Sequence, residues 1–274
     1  MAQVKYEYGK TTNGIPYMRF GSGKKTMLFF AGGPGNLLPT GLGATGFVKG
    51  MKPFFNDYTI YLVTRKSNLK VGYTTEDMAR DYSEMITQDF KGFVDLIVSM
   101  SYGGLIAQHF AANYPELFGS LVITVSAHKI NEPAKLFDTK YAELINQRKD
   151  KEAMALRADV FQNALLRNMM RFILFTFGRS LLGDVTEAFR NDVVIEAQAE
   201  VNHDSFKNLS KINKPVLIVA GKDDIYFPLE YIKEMAGMIK TSKLIVYAGG
   251  HMTTFLDKRF YHDVVNFVSE NSGN

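Results

Sequence analysis

The chain has 274 residues, of which 46% are hydrophobic and 22% are charged, as is typical of an ordinary globular protein. It contains no cysteine, which excludes disulfides, zinc–thiolate sites, iron–sulfur clusters and cysteine nucleophiles. The net charge is only +4 and no segment concentrates positive charge, so the sequence predicts no nucleic-acid partner. The basic pairs Lys24-Lys25 and Arg65-Lys66 are interpreted as solvated surface.

Targeting signals are not expected from the sequence. The first eight residues lack the apolar region of a signal peptide. No run reaches the roughly 18 apolar residues that a membrane-spanning helix needs. The sequence therefore predicts no membrane span and a cytoplasmic location.

Short apolar runs bounded by glycine, proline or serine predict β-strands. They are Ile15–Phe20, Thr26–Phe30, Thr59–Val63, Val94–Val98, Leu121–Val125, Pro215–Val219 and Leu244–Tyr247. Their nearly continuous apolar character indicates a sheet that is buried on both faces. Helical patterns lie between them, at Thr75–Phe90, Gly103–Tyr114, Leu229–Lys240 and Arg259–Glu270. This alternation predicts an α/β protein with a mostly parallel sheet.

One interval, from about residue 127 to 206, contains no strand pattern. Helices are predicted there at Glu132–Arg148, Lys151–Phe177 and Asp184–Val201. We expect a helical cap (127–205) inserted into a core domain (1–126 and 206–274), because the interval follows a strand on the side where α/β sheets bind ligands. Extra helices packed on the sheet edge are the alternative. The apolar, methionine-rich stretch Leu165–Phe177 predicts either an acyl pocket under the cap or a helix packed on the core.

A strand-to-helix turn with a serine at its tip occurs in VSMSYGG, residues 98–104. In such a turn the hydroxyl of Ser101 is exposed at the top of the sheet, near the N-terminus of the next helix. The turn is strained, so the residues two before and two after the serine must be small, as Ser99 and Gly103 are. The pattern predicts a nucleophile at Ser101, with an ordinary helix N-cap as the alternative.

A glycine-rich turn, FAGGPGN at residues 30–36, follows another predicted strand. Glycines let a backbone amide turn toward a substrate oxygen. Such an amide, with that of the residue after the nucleophile, would form an oxyanion hole. The candidate donors are Gly33 and Tyr102. The turn lacks the pattern of a phosphate-binding loop.

An aspartate and a histidine, Asp224 and His251, follow two consecutive predicted strands. The carboxyl ends of parallel strands meet at one edge of the sheet, so we expect these side chains to lie close together. A nucleophilic serine needs a base, and the base needs an acid that holds its tautomer. The chain order Ser101, Asp224, His251 therefore predicts a triad. The G-x-x-D spacing from Gly221 selects Asp224 over the adjacent Asp223.

Taken together, the motifs resemble the α/β-hydrolase superfamily over most of the chain. The serine turn, the glycine-rich turn, the helical insertion, the G-x-x-D turn and the G-H turn occur in that family's order. The resemblance implies an eight-stranded, mostly parallel sheet flanked by helices, with a helical cap inserted after the sixth strand. It also implies Ser101 as nucleophile, Asp224 as acid and His251 as base. The sequence departs from the family at Ala31, where many members have histidine, and at Ser99, which replaces a glycine.

A serine nucleophile implies an acyl-enzyme, and the predicted function is hydrolysis of a small or medium ester, thioester or lactone without a metal or cofactor. Serine at the turn disfavours dehalogenases and epoxide hydrolases of this fold, and the absence of tryptophan disfavours haloperoxidases. Open alternatives are an aminopeptidase, a C–C hydrolase, an acyltransferase, and a signalling or ligand-binding protein that retains the triad. The predicted partner is a small-molecule substrate, and the oligomeric state stays open.

The remaining titratable candidates give weaker predictions. An aminopeptidase needs a cap acid beside a free amine, and the candidates are Glu132, Glu143, Glu187 and Glu196. No histidine pair has metal-ligand spacing, so no metal site is expected. His109 is predicted to be structural, whereas solvated or surface positions are predicted for His128, His203 and His262.

Overall fold

An eight-stranded sheet forms the centre of the computed structural model, which describes residues 5–161, 163–182, 185–255 and 257–271. The strands are β1 (Tyr6–Lys10), β2 (Pro16–Gly21), β3 (Lys25–Phe30), β4 (Tyr58–Val63), β5 (Val94–Met100), β6 (Phe118–Thr124), β7 (Val216–Gly221) and β8 (Ser242–Tyr247). Their spatial order is β1-β2-β4-β3-β5-β6-β7-β8. Only β2 runs antiparallel to its neighbours, β1 and β4, and the other pairs are parallel. The mostly parallel, eight-stranded sheet is thus confirmed.

Helices alternate with the strands. They are α1 (Gly41–Gly50), α2 (Thr75–Asp89), α3 (Tyr102–Asn113), α4 (Glu132–Asn146), α5 (Asp150–Leu156), α6 (Ala164–Leu181), α7 (Glu187–Val201), α8 (Leu229–Met238), α9 (His251–Phe255) and α10 (Arg259–Asn271). The start of α2 is fixed by a capping box, in which the Thr74 side chain and the Asp77 side chain each bond the other's backbone N–H.

Both faces of the sheet are covered. Successive β6 residues alternate between two apolar clusters, with Leu121 and Ile123 in one and Val122 in the other, as the two-residue strand period requires. Helices α2, α3 and α8 pack on the first face, and α1 and α10 pack on the second. The continuous apolar runs of the central strands follow from this double burial.

Four helices, α4 to α7, lie between β6 and β7 and share a third apolar cluster. The predicted single helix Lys151–Phe177 is wrong: α5 ends at Leu156, and α6 begins at Ala164, where the Asn163 side chain accepts the N–H of Leu166. The predicted start of the next helix, Asp184, lies outside the described residues.

Helix α6 exposes large apolar side chains. Leu165 is 83% exposed and Phe172 is 71% exposed. Both belong to the stretch Leu165–Phe177, so the expectation that this stretch packs on the core is wrong. An acyl pocket formed by this stretch under the cap stays a prediction.

Other differences from the sequence-based expectations have simple physical reasons. Strand β1 was not predicted because it is an edge strand whose residues are mostly exposed, so it carries no apolar run. His128 and His203 are buried rather than at the surface, whereas His262 is exposed as predicted. Among the described residues, no helix is both long and apolar enough to cross a membrane.

Candidate active site

Ser101 occupies the turn between β5 and α3, with φ 52° and ψ −119°. A positive φ is unfavourable for a residue with a Cβ and costs about 1–3 kcal/mol. Tight packing holds the turn in this shape: a Cβ at Gly103 would lie 2.2 Å from the carbonyl oxygen of Phe30. Ser99 fits in place of the usual glycine because its buried hydroxyl donates to the carbonyl of Val122 at 2.9 Å.

Three predicted side chains meet at the carboxyl edge of the sheet. The Oγ of Ser101 lies 3.0 Å from Nε2 of His251, and Nδ1 of His251 lies 2.9 Å from Oδ2 of Asp224. Because a carboxylate only accepts, Nδ1 carries the proton and donates to Asp224. In this tautomer of the uncharged imidazole, Nε2 has a lone pair that can accept the serine hydroxyl proton.

Asp224 is held on both of its oxygens. Its Oδ1 accepts the backbone N–H groups of Tyr226 at 2.8 Å and Phe227 at 3.1 Å, while Oδ2 faces His251. These bonds fix the carboxylate and stabilise its charge. The neighbouring Asp223 is exposed, and its backbone N–H donates to the carbonyl of Gly249.

Two aromatic rings hold the imidazole of His251. The ring of Tyr226 lies 5.1 Å from it at 33°, and that of Phe227 lies 5.8 Å from it at 23°. Both aromatic residues are buried, so they restrict the imidazole to one orientation and keep water from that side.

The glycine-rich turn passes directly beside the serine. A Cβ at Gly32 would lie 3.2 Å from the Cβ of Ser101, and Gly33 has φ +71°, which favours glycine. Tyr102 is the first residue of α3, and the amides of a helix's first turn have no partner within the helix. The two predicted oxyanion donors, Gly33 and Tyr102, are thus on elements that flank Ser101.

A buried arginine that the sequence analysis assigned to solvated surface holds this turn. The guanidinium of Arg65 donates to the carbonyls of Ala31 (3.0 Å), Gly33 (2.6 Å) and Gly35 (2.5 Å). Its side chain is 1% exposed, so the surface prediction for Arg65 is wrong. Arg65 follows β4, the neighbour of β3, and so reaches the turn from the adjacent strand end. Its three hydrogen bonds thereby fix the backbone of the glycine-rich turn.

Helix α7 is joined to the same turn. Glu196 accepts from Arg65 at 2.8 Å and from the N–H of Gly35 at 2.5 Å. One helical turn earlier, Asp192 accepts from the Asn36 side chain at 3.0 Å and from the N–H of Leu69 at 2.8 Å. Residues four apart share one face of a helix, so α7 presents both carboxylates to the loops at the sheet edge.

The four cap glutamates considered for amine binding are already paired. Three are exposed and contact surface cations, in the pairs Glu132–Lys135, Glu143–Lys140 and Glu187–Arg148. The fourth, Glu196, pairs with Arg65. The three exposed glutamates are thus engaged at the surface, whereas Glu196 bonds through Oε2 and keeps a buried Oε1 without a hydrogen-bond partner.

Two other cap acids, Asp138 and Glu200, are buried, and each has one oxygen without a hydrogen-bond partner. Burial raises the pKa of Asp138 to about 7, against the opposing influence of Arg157 and His251. Burial also raises the pKa of Glu200 well above its usual range, and Asp138 adds to the effect. The sequence analysis missed both, because only tertiary packing distinguishes them from surface acids.

The raised pKa of Asp138 gives a stability prediction. Between its ordinary pKa of 3.8 and about 7, the folded chain keeps a proton that the unfolded chain has lost. The free energy of unfolding should therefore fall as pH rises through that window. Asparagine carries no titrating proton, so Asp138→Asn should not lose stability as the pH rises. At pH 8 we therefore expect the variant to have a free energy of unfolding roughly 1–4 kcal/mol higher than that of wild type.

Urea unfolding at pH 5 and pH 8 measures the effect. The exposed Asp57 provides the control, because Asp57→Asn should retain the wild-type pH dependence. An Asp138→Asn variant whose stability changes with pH as much as that of wild type would contradict the prediction.

No group of three or more histidine, aspartate or glutamate side chains suited to a metal ion occurs among the described residues.

Comparison with known proteins agrees with this architecture. Residues 64–258 match the family described as alpha/beta hydrolase fold. The chain belongs to this family. No curated protein sequence matches this chain.

Several solved structures share the fold. A hydrolase from Pseudomonas aeruginosa PA01 is 18% identical, with a TM-score of 0.75 over 96% of this chain and 98% of that one. The enol-lactonase from Burkholderia xenovorans LB400 is 16% identical, with a TM-score of 0.72 over 96% and 100%. An esterase from Exiguobacterium antarcticum is 20% identical, with a TM-score of 0.70 over 97% and 100%. At these identities the likeness establishes the fold.

Proposed function

We propose that this α/β hydrolase is a serine hydrolase that cleaves a carboxylic ester, thioester or lactone through an acyl-enzyme. The observation that carries the proposal is the continuous chain of contacts from Ser101 through His251 to Asp224, at 3.0 and 2.9 Å. A nucleophile, a base and an orienting acid in hydrogen-bond reach are what acyl transfer requires. The strained φ of Ser101 supports it, because strain of this kind gathers at functional sites.

The acylation step follows from the geometry. Nε2 of His251 takes the Oγ proton as Ser101 attacks the carbonyl carbon, and Asp224 stabilises the imidazolium that forms. The developing oxyanion accepts from the backbone N–H groups of Gly33 and Tyr102. His251 then gives its proton to the leaving oxygen or sulfur, and the acyl group stays on Ser101.

Deacylation repeats these roles with water. His251 removes a proton from a water molecule, the hydroxide attacks the acyl carbon, and the same amides receive the oxyanion. Collapse of this intermediate returns the proton to Ser101 and releases the carboxylic acid. No cofactor enters either half of the reaction.

The helical segment 127–205 acts as a lid over this site, and residues 1–126 and 206–274 form the catalytic core. Support comes from α7, whose Asp192 and Glu196 bond the loops beside the serine. Glu196 of the lid bonds Arg65, and Arg65 holds the glycine-rich turn, so the position of the lid also determines the shape of that turn.

A second candidate is hydrolysis of a substrate with a free amine, as by an aminopeptidase. The observation that favours it is the buried pair Asp138 and Glu200, each with an unpartnered oxygen. Asp138 interacts electrostatically with His251, and both acids interact with Tyr226, whose ring lies beside that imidazole. A substrate ammonium group would compensate two buried acids that otherwise keep protons.

Turnover of short p-nitrophenyl esters and of aminoacyl naphthylamides distinguishes the two candidates. We expect kcat/KM for the esters to exceed that for the amides by at least about tenfold, or roughly 1.4 kcal/mol of barrier. The reverse preference would favour the amine-directed enzyme. Failure to turn over either class, together with no labelling by a fluorophosphonate, would contradict a serine hydrolase.

A further inference from the structure

A single buried guanidinium contacts both elements that carry the predicted oxyanion donors. On one side, Arg65 donates to the carbonyl of Gly33 at 2.6 Å and to that of Ala31 at 3.0 Å. These carbonyls belong to the peptide groups just before and just after the one that contains the N–H of Gly33. On the other side, the guanidinium lies 5.0 Å from the centre of the Tyr102 ring, a cation–π distance. Arg65 therefore joins the glycine-rich turn to the first residue of α3.

Helix α7 holds this guanidinium from above the sheet edge. Glu196 accepts from Arg65 at 2.8 Å through Oε2, the same oxygen that accepts the N–H of Gly35. The backbone carbonyl of Glu196 accepts the hydroxyl of Tyr102 at 3.0 Å. A single residue of the proposed lid thus bonds the arginine, the glycine-rich turn and the residue that follows Ser101.

Burial makes these contacts depend on one another. The side chains of Arg65 and Glu196 are 1% and 0% exposed, and Tyr102 is fully buried. A buried charge that loses its partner is strongly unfavourable, so the guanidinium is confined to the place where the carboxylate and the carbonyls meet. Movement of α7 would remove the carboxylate and release the guanidinium from the turn.

We propose that α7 completes the oxyanion hole, with Arg65 as a positioning residue that acts through the amides of Gly33 and Tyr102. The proposal rests on the acyl transfer proposed for Ser101. Amides stabilise an oxyanion when they are held in place beforehand, and loss of one donor costs about 10²–10³ in kcat. Arg65 fixes the backbone that carries these amides. The docked lid is then a requirement for acylation as well as a cover for the site.

Arg65→Lys tests the proposal in the whole protein with the charge retained. A lysine ammonium can still pair with Glu196, but as a compact point charge it cannot span the carbonyls of the turn and the ring of Tyr102. We expect kcat for a short p-nitrophenyl ester to fall by about 30-fold or more. KM should stay within about threefold of wild type, because the charge on the oxyanion develops after the substrate binds. Labelling of Ser101 by a fluorophosphonate should slow in parallel with kcat.

Arg190→Lys is the matched control. Arg190 lies in the same helix, and its side chain is 8% exposed. It bonds both carboxylate oxygens of Asp150, at 2.6 and 2.9 Å, and donates to the carbonyl of Ile145. It therefore resembles Arg65 in burial and bonding, while these partners lie within the lid. Both substitutions should lower the melting temperature, but Arg190→Lys should keep kcat within about twofold of wild type.

Amide hydrogen exchange measures the hold on the turn apart from the chemistry. In Arg65→Lys the segment 30–36 should exchange at least about tenfold faster than in wild type, and in Arg190→Lys it should exchange at the wild-type rate. Unchanged exchange or unchanged kcat in Arg65→Lys would overturn the proposal. Equal losses of kcat in the two variants would also overturn it, since they would assign Arg65 a purely structural role.

Failure of the proposed hydrolysis gives a different result. Wild type would then neither turn over esters nor react with the fluorophosphonate, and the role of Arg65 in acylation would be overturned with it. If wild type does react, a failure confined to the Arg65→Lys comparison contradicts the positioning role alone.

Discussion

Replacing Ser101 with alanine should lower kcat for ester hydrolysis by about 10⁴-fold or more, which is roughly 5.5 kcal/mol of barrier. The loss follows because the group 3.0 Å from Nε2 of His251 disappears and no acyl-enzyme forms. Alanine meets the same backbone strain at φ 52° as serine does, so the melting temperature should change little. Circular dichroism of the variant separates a chemical loss from unfolding.

Ser99→Ala is the matched control. Ser99 is two residues away and fully buried, and its hydroxyl donates to Val122 rather than to His251. Its removal loses this hydrogen bond and should cost about 1 kcal/mol of stability, with ester turnover close to wild type. A fluorophosphonate should label wild type and Ser99→Ala at Ser101 and leave Ser101→Ala unlabelled. Labelling or activity that survives in Ser101→Ala would show that the nucleophile is another residue.

The sequence allowed the meeting point of Ser101, Asp224 and His251 to be predicted for a local reason. Each residue lies one to four residues beyond the end of an apolar strand, and the carboxyl ends of parallel strands share one edge of the sheet. Strands β5, β6, β7 and β8 are consecutive neighbours, so short turns suffice to bring the side chains together. Apolar runs and turn residues carry all the information that this prediction uses.

Arg65 shows why other parts of the site escaped prediction. An arginine beside a lysine predicts a solvent-exposed position, because burial of a charge is costly unless a partner compensates it. Here the compensation comes from Glu196, 131 residues later in the chain, and from three carbonyls of the glycine-rich turn. Such a contact depends on the packing of α7 against the sheet edge. The local sequence connects Arg65 with the site only through its position just after the end of strand β4.

Helix α6 escaped prediction for the opposite reason. A dense apolar stretch normally indicates burial, because removing apolar area from water is favourable. The periodicity of Leu165, Met169 and Phe172 identifies a single apolar face, and it does not say whether protein, lipid or solvent covers that face. Gly178, which packs against Met154 of α5, is the least conspicuous position in the helix.

Two adjacent aspartates should differ sharply in their effect on catalysis. Oδ2 of Asp224 accepts from Nδ1 of His251, and this requires the tautomer whose Nε2 can receive the serine proton. In Asp224→Asn the amide group presents an N–H to Nδ1, which favours the opposite tautomer and a protonated Nε2. The corresponding change in the triad of trypsin lowers kcat by about 10⁴. We expect a similar loss here, with unchanged labelling specificity but much slower phosphonylation of Ser101.

Asp223→Asn removes the same charge one residue earlier and is the control. Asp223 is exposed, whereas Oδ2 of the buried Asp224 is the carboxylate oxygen that lies against Nδ1 of His251. Its kcat should stay within about tenfold of wild type, or roughly 1.4 kcal/mol of barrier. The reverse ranking would make Asp223 the acid. Equal and small effects would mean that neither aspartate orients His251, although Asp224 lies 2.9 Å from it and holds its carboxylate with two backbone N–H groups. That outcome would leave the proposed acyl transfer to Ser101 and His251 alone.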